Sequence, residues 1–433
     1  MTTTTAHPRF SLLGNAVRLL RDPLRVLTSL PAYGDVVPVG FGRWQAVVVC
    51  DPELARQVMA DDRTFDKGGT VDARVRELVG DSLITSRHAG HRRQRRLVQP
   101  AFHHTRLPSH VDLMTGQIGA VTGSWRDGQV IDGVAAAHDI TTRVICAAVF
   151  ATEMSADDVA QTARDFNTFM VGVYKRILTP APLNQLPTPD KRRYGDAIAR
   201  LRATAAGIIA ERRASARDDI LSMLLAARDE DGQGMSETEL VNQIVMFLVA
   251  GVDTTAAGMA WALHLLANHP HIAERVRQEA DEVLAGRTAT TADLPALAFT
   301  SRVVTESLRL YPPAWVLTRI ATTATELGGH PVKPGTTVVI SPYLIHHRPD
   351  VYPDPERFDP DRHGDRMPRS ALMPFGAGGR KCIGDTFAMA ETTLALATIC
   401  ARWRLRPLPG VRTRPALRLV LAPRSLHLRV VAR

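Results

Sequence analysis

A glycine-rich loop that ends in a cysteine and runs straight into an apolar helix constrains this chain more than any other stretch. It reads Phe375, Gly376, Ala377, Gly378, Gly379, Arg380, Lys381, Cys382, Ile383, Gly384. The segment from Asp385 to Leu405 is apolar with helical periodicity. Glycines 376, 378 and 379 let the backbone turn and let a flat object approach closely. Cys382 then stands at or beside a helix N-terminus, where the dipole favours a thiolate. Arg380 and Lys381 add positive charge. The loop is built to present a sulfur anion, although most intracellular cysteines are simply small buried apolar residues. Phosphate-binding patterns fail here. A P-loop needs Gly-Lys-Ser/Thr, whereas Lys381 lies between Arg380 and Cys382, and a dinucleotide fingerprint would need glycine at Lys381.

The rest of the chain reads as mainly α with small β-sheets. Val36 to Gly40 and Trp44 to Cys50 form a hairpin signal, and Asp51-Pro52 opens a helix to about Ala60. Thr64 to Ser86 reads as irregular. Arg87 to Gln99 is basic and helical in pattern. Further helices are expected over about Leu107–Trp125, Ala137–Ala151 and Ala156–Ile177. A proline-rich break, Pro180 to Pro189, precedes helices over about Asp190–Ser215 and Asp218–Ala227. Ser236 and Glu239 form a capping-box pair that opens a long apolar helix to Asn268. Helices near Pro270–Ala285 and Ala298–Tyr311 follow. Short strands then occupy Trp315 to Ile340, a polar meander Arg348 to Arg369, and a β stretch Ala416 to Val431. No linker divides the 433 residues, so one domain over 1–433 is expected, with Met1 to Pro8 a disordered tail.

Four widely spaced cysteines, Cys50, Cys146, Cys382 and Cys400, suggest neither a disulfide framework nor a zinc site. No signal peptide or membrane span is apparent, and a cytoplasmic protein is expected. The net charge of +9 comes with only 5% aromatic residues, so nucleic acid is not the expected partner. A solvated basic surface is the bland explanation, and an acidic protein partner the sharper one.

Three further groups of residues carry chemistry. The middle of the long helix reads Ala250, Gly251, Val252, Asp253, Thr254, Thr255. Gly251 costs roughly 1 kcal/mol there relative to alanine. A buried aspartate costs more unless paired, and Thr254 can bond back to the Ala250 carbonyl and bend the helix. Several unfavourable choices in one turn suggest a site, against the plain alternative of a buried helix whose aspartate reaches the surface. Glu306 and Arg309, three apart, would ordinarily be a surface pair of little value. His91 and Arg95 share one face of a basic helix that is otherwise solvated.

Taken together, these stretches resemble the cytochrome P450 family, and the resemblance extends over nearly the whole chain. The loop fits Phe-x-x-Gly-x-Arg-x-Cys-x-Gly through Phe375, Gly378, Arg380, Cys382 and Gly384. The long helix fits Ala-Gly-x-Asp-Thr at Ala250–Thr254, and Glu306–Arg309 fits Glu-x-x-Arg. The resemblance implies a triangular-prism fold with haem b between the long helix and the cysteine loop. It implies Cys382 as iron ligand, with Phe375, Gly376 and Gly384 in the haem-bearing loop. His91, Arg95, Arg319 and Arg380 would hold the propionates. Ala250 and Gly251 would form a groove for O2, Thr254 would hold oxygen and its water, and Asp253 would relay protons. Glu306, Arg309 and Arg362 would form a structural network, with His363 where relatives usually have an aromatic.

The implied reaction is insertion of one oxygen atom into a C–H or C=C bond. The family's thiolate ligand favours O–O cleavage. Electrons would come from a ferredoxin and ferredoxin reductase, and so from NAD(P)H only indirectly. The implied pocket residues Val71, Leu78, Val79, Phe247, Ala314, Val316 and Leu317 are apolar, which suggests a hydrophobic small-molecule substrate. A monomer is expected. The runs at 92–102 and 313–319 look like actinobacterial sesquiterpene oxidases of secondary metabolism. A peroxide-driven or rearranging haem-thiolate enzyme is one alternative, and a haem-binding sensor without turnover is another. An intact Asp253-Thr254 pair argues against both.

Overall fold

The computed structural model describes residues 10–11, 21–41, 44–150, 156–179, 188–215, 217, 219–363 and 371–433. The expected tail at Met1 to Pro8 and the proline-rich break through residue 187 lie outside the described residues.

The fold is arranged around the helix Glu237–Asn268. At 1.5 Å per residue it runs roughly 48 Å. The capping box forms as its sequence requires. Ser236 Oγ accepts the Glu239 N–H at 3.2 Å, and Glu239 Oε2 accepts the Ser236 N–H at 2.8 Å. Four helices wrap this one: Gly133–Phe150, Pro189–Ala214, Ala298–Leu310 and Asp385–Arg402. Among the described residues it is the one helix long and apolar enough to cross a membrane, yet 72% of its apolar window is buried within the fold. Its apolar character is used by the core.

A six-stranded sheet forms the second layer, in the order Phe10–Ser11, Val36–Phe41, Trp44–Val49, Thr337–Ile340, Leu317–Ala321, Phe65–Asp66. The hairpin read from the sequence is there, with Val37 opposite Val48 and Val39 opposite Ala46. The helix Pro52–Ala60 follows it, and Asp51 caps that helix by accepting the Leu54 N–H at 2.8 Å. Two main apolar cores result, with a third small cluster at Leu24, Tyr343 and Leu421. The larger lies among the helices, and the smaller lies on the sheet around Val37, Val49, Val58, Val338 and Ile340.

The structure corrects two local expectations. Thr64 to Ser86 is not irregular: a strand Phe65–Asp66 and a helix Gly69–Val79 occupy it. Positive φ angles at Gly69 and Gly80 bracket that helix and had read as loop signals. The basic helix His88–Val98 is also not solvated throughout. Arg93 bonds Asp229 at 2.7 Å, Glu239 at 2.7 Å and the Gly234 carbonyl at 3.1 Å, tying this helix to the start of the central one.

A buried histidine, His346, ties the helix Ala298–Leu310 to Met373, and the neighbouring His347 is buried as well. His346 donates from Nδ1 to the Arg309 carbonyl at 3.1 Å and accepts the Met373 N–H at Nε2 at 3.0 Å. That arrangement needs a neutral ring. Burial, with His347 and Arg309 nearby, lowers the His346 pKa to about 3, and burial lowers that of His347 to about 4. An unfolded histidine titrates near 6.5. Acid therefore protonates the unfolded chain first. Stability should be fully retained above about pH 6.5 and decline as pH falls toward 4. Urea midpoints measured across that range check this, and His346→Asn should flatten the decline.

Candidate functional site

The cysteine loop straddles the two cores. Phe375 and Ile383 pack on the helical core, and Ala377 packs on the sheet core. The Cys382 N–H bonds the Phe375 carbonyl at 2.9 Å, closing the loop on itself. Gly376 and Gly378 take φ of +69° and +68°, which L side chains rarely adopt. A Cβ on Gly378 would lie 2.3 Å from the Met59 carbonyl oxygen. That glycine is needed for contact with the helix Pro52–Ala60. Gly384 caps the helix Asp385–Arg402, so Cys382 stands two residues before a helix N-terminus.

Cys382 is the only exposed cysteine; Cys50, Cys146 and Cys400 are buried. The residue shows an open face, but protein crowds its sulfur on the other sides. Burial pushes the thiol up, against the Gly384 N–H, Arg95 and Lys381, which pull it down. In the protein alone, burial opposes the positive groups that the loop places around the sulfur. A metal cation at the open face would supply the missing stabilisation, since a coordinating thiol is deprotonated outright.

Beside the loop lies a cluster of cations with too few anions. Arg380 bonds Asp66 at 2.6 Å and the Ser86 carbonyl at 2.8 Å, and its Nε lies 3.5 Å from Asp62. Arg319, on the strand Leu317–Ala321, is 3% exposed and bonds only its neighbour's carbonyl, Thr318, at 2.9 Å. The Nε atoms of Arg319 and Arg380 are buried with no hydrogen-bond acceptor. Burial, with Arg380 nearby, lowers the Arg319 pKa to about 10. His91 is buried, and burial, Arg380 and Arg95 lower its pKa to about 4. Arg95 bonds the Lys381 carbonyl at 2.6 Å, joining the basic helix to the cysteine loop. The structure thus gathers all four residues predicted to hold carboxylates.

It also adds Lys67, which sequence reasoning missed. Burial, Arg319 and Arg380 lower its ammonium pKa to about 7. Its strand neighbour Asp66 was concealed in a stretch read as loop. Orphaned buried donors and mutually repelling cations are what two propionates would relieve. The residues present therefore fit haem.

On the central helix, Thr254 Oγ1 donates to the Ala250 carbonyl at 2.5 Å, as its sequence position allowed. Gly251 also makes room for a neighbouring helix. A Cβ there would lie 2.9 Å from Ile145 Cδ1, so this glycine lets Gly133–Phe150 pack close. Asp253 Oδ1 stands 3.7 Å from His138 Nδ1, and burial raises its carboxyl to about 7, with Arg418 opposing. Of the implied pocket residues, Leu78 and Val79 are wholly buried in the core, and Phe247 packs on Phe102 at 5.1 Å. Val71, Ala314, Val316 and Leu317 are half-buried.

Glu306 is fully buried at the meeting of helix and meander. It accepts two bonds from Arg309 at 2.8 and 2.9 Å, one from Arg362 at 2.9 Å and one from the Asp359 N–H at 3.1 Å. His363 joins at 2.7 Å through Nε2. The residue whose packing the resemblance left open is thus a fourth partner. Burial raises the Glu306 pKa, but the bonds from His363 and Arg309 outweigh it and hold the carboxyl below its usual range.

Comparison with known proteins decides the family. The Cytochrome P450 family profile matches residues 6–430. The chain belongs to the cytochrome P450 family. It is 46% identical over 417 residues to cyclooctat-9-en-7-ol 5-monooxygenase of Streptomyces melanosporofaciens, covering 94% of this chain and 91% of that one. Cyclooctatin synthase of the same organism is 42% identical, over 97% and 94% of the two chains. Pentalenene oxygenase of Streptomyces avermitilis is 40% identical, over 99% and 97%. The protein is a P450 monooxygenase related to terpene oxygenases. As such it uses haem, O2 and electrons delivered by redox partners.

Two outcomes test the site. Cys382→Ser should abolish the thiolate-type absorption of the reduced carbonyl complex, while Cys50→Ala, Cys146→Ala and Cys400→Ala retain it. Glu306→Ala should give poorly folded, haem-poor protein, because two buried arginines lose their partner at about 3–5 kcal/mol. Circular dichroism and the haem-to-protein ratio check this; well-folded, haem-replete and inactive protein would indicate catalysis instead.

Proposed function

We propose that this enzyme hydroxylates or epoxidises a hydrophobic terpenoid, with haem b held by Cys382 and electrons supplied by a ferredoxin and its reductase. The observation that carries this is the pairing of an open Cys382 with a cation cluster whose donors lack acceptors. The names of its relatives support a terpenoid substrate, and the half-buried apolar residues Val71, Ala314, Val316 and Leu317 suit one. The net charge of +9 suits docking of an acidic electron carrier. Cytoplasmic operation as a monomer belongs to the same proposal.

Haem supplies the oxygen-activating chemistry, and its thiolate ligand favours O–O cleavage. The protein's own residues set the conditions for it. His91, Arg95, Arg319, Arg380 and Lys67 hold the propionates. Thr254 holds a hydroxyl in the turn where it bonds the Ala250 carbonyl. Asp253, with a carboxyl near pH 7, can both take and give a proton under working conditions. The pair delivers protons, which a sensor without turnover has no need of.

Thr254→Ala should bind haem and substrate normally and keep consuming NADPH. It should release peroxide in place of oxygenated product, since general-acid assistance is worth about 10²–10⁴-fold. Asp253→Asn should slow oxygen consumption itself. Coupling of electrons to product as tight as wild type in Thr254→Ala would leave this turn a packing bend only.

A further inference from the structure

A cavity of about 310 Å³ lies behind the central helix, on the Asp253 side. Five elements wall it: Gly133–Phe150, Ala156–Leu178, Pro189–Ala214, Glu237–Asn268 and the hairpin formed by Pro415–Leu417 and Leu421–Pro423. None of Cys382, His91, Arg95, Arg319 or Arg380 lines it, nor does any of the seven residues implied for the substrate pocket. It is a separate space that touches the oxygen-activation turn from the other side.

Its walls are mostly apolar, with Phe166, Met170, Leu201 and Leu248 among them. Polar groups gather at one end. Asp253 and His138 stand 3.7 Å apart there, and the exposed Arg418 lies close enough to act on Asp253 electrostatically. His138 keeps 38% of its side chain exposed, so this end reaches the surface. Volume, apolar walls and a few convergent polar groups are the marks of a small-molecule site, which typically spans roughly 300–1,000 Å³.

We propose that this cavity binds an oxygenated hydrophobe, a terpenoid alcohol of the class the enzyme produces, at a second site behind the catalytic turn. The inference rests on the function proposed above. The polar end decides the ligand class. A neutral hydroxyl can donate to Asp253 and accept from His138 or Arg418. A hydrocarbon would strip water from these groups without replacing its bonds, which leaves each of them unpaired at a cost in free energy. A carboxylate would face Asp253 as a like charge whenever Asp253 is ionised. The cavity therefore favours product over hydrocarbon substrate. An alcohol lodged there separates Asp253 from solvent and slows the proton supply, so product accumulation restrains turnover.

The test titrates the holoenzyme with farnesol and with farnesene, the matching hydrocarbon. The shift of the haem Soret band reports the first site, and calorimetry counts all sites. Farnesol should bind at two sites and farnesene at one. Ala422→Trp and Leu201→Phe each fill the cavity. Either one, if its thermal unfolding matches wild type, should keep the Soret response and weaken the second farnesol site by roughly tenfold or more. One-site binding of farnesol by wild type, or two-site binding that survives in a folded filled variant, overturns the proposal. A calorimetric second site that persists without any Soret response would leave the cavity assignment standing and overturn the substrate reading on which the product role depends.

Discussion

The buried carboxylate of Glu306 is the interaction on which the rest of this structure depends. A carboxylate in the interior is tolerable only when fully paired. Here the pairing reaches in three directions. Arg309 comes from the same helix, Arg362 and His363 from the meander, and the Asp359 N–H from the chain between. Arg309 then passes the connection on, donating to the His346 carbonyl at 2.8 Å and to the Arg357 carbonyl at 3.2 Å. His346 in turn accepts the Met373 N–H, two residues before Phe375. One desolvated charge thus fixes the segment that leads into the cysteine loop.

Much of this was legible beforehand, for identifiable reasons. Helix ends announced themselves chemically: Ser236 with Glu239, and Asp51 with Pro52, satisfy orphan amides by rules that operate within four residues. The cysteine loop and the Ala250–Thr254 turn were legible because their residues are costly anywhere else. What the sequence concealed was mostly long-range. Nothing local in Lys67 says that it joins Arg319 and Arg380, because that meeting depends on pairing of Phe65–Asp66 with the strand from Leu317. His363 looked like a departure from a pattern until its distance to Glu306 was known.

Two glycines show the limit of reading a residue type as a role. Gly378 and Gly251 both lie in motifs assigned to ligand access, and their missing side chains also make room for protein, the Met59 carbonyl in one case and Ile145 in the other. The cation cluster shows the converse. Four of its members were expected to face carboxylates through the resemblance, and their burial and unmet donors supply the physical reason they await negative charge.

The loop that straddles two cores has a mechanical consequence. Phe375 and Ile383 move with the helices, while Ala377 and Gly378 are seated against the sheet side and the helix Pro52–Ala60. Cys382 therefore sits on a seam, its sulfur positioned by the helical body on one side and the sheet body on the other, which the Arg309–His346–Met373 bonds tie together. Any strain that slides one body past the other is concentrated at that sulfur. Substitutions in the sheet core, at Val338 on its strand or at Val49, can then reach the axial ligand as well as changes in the loop itself.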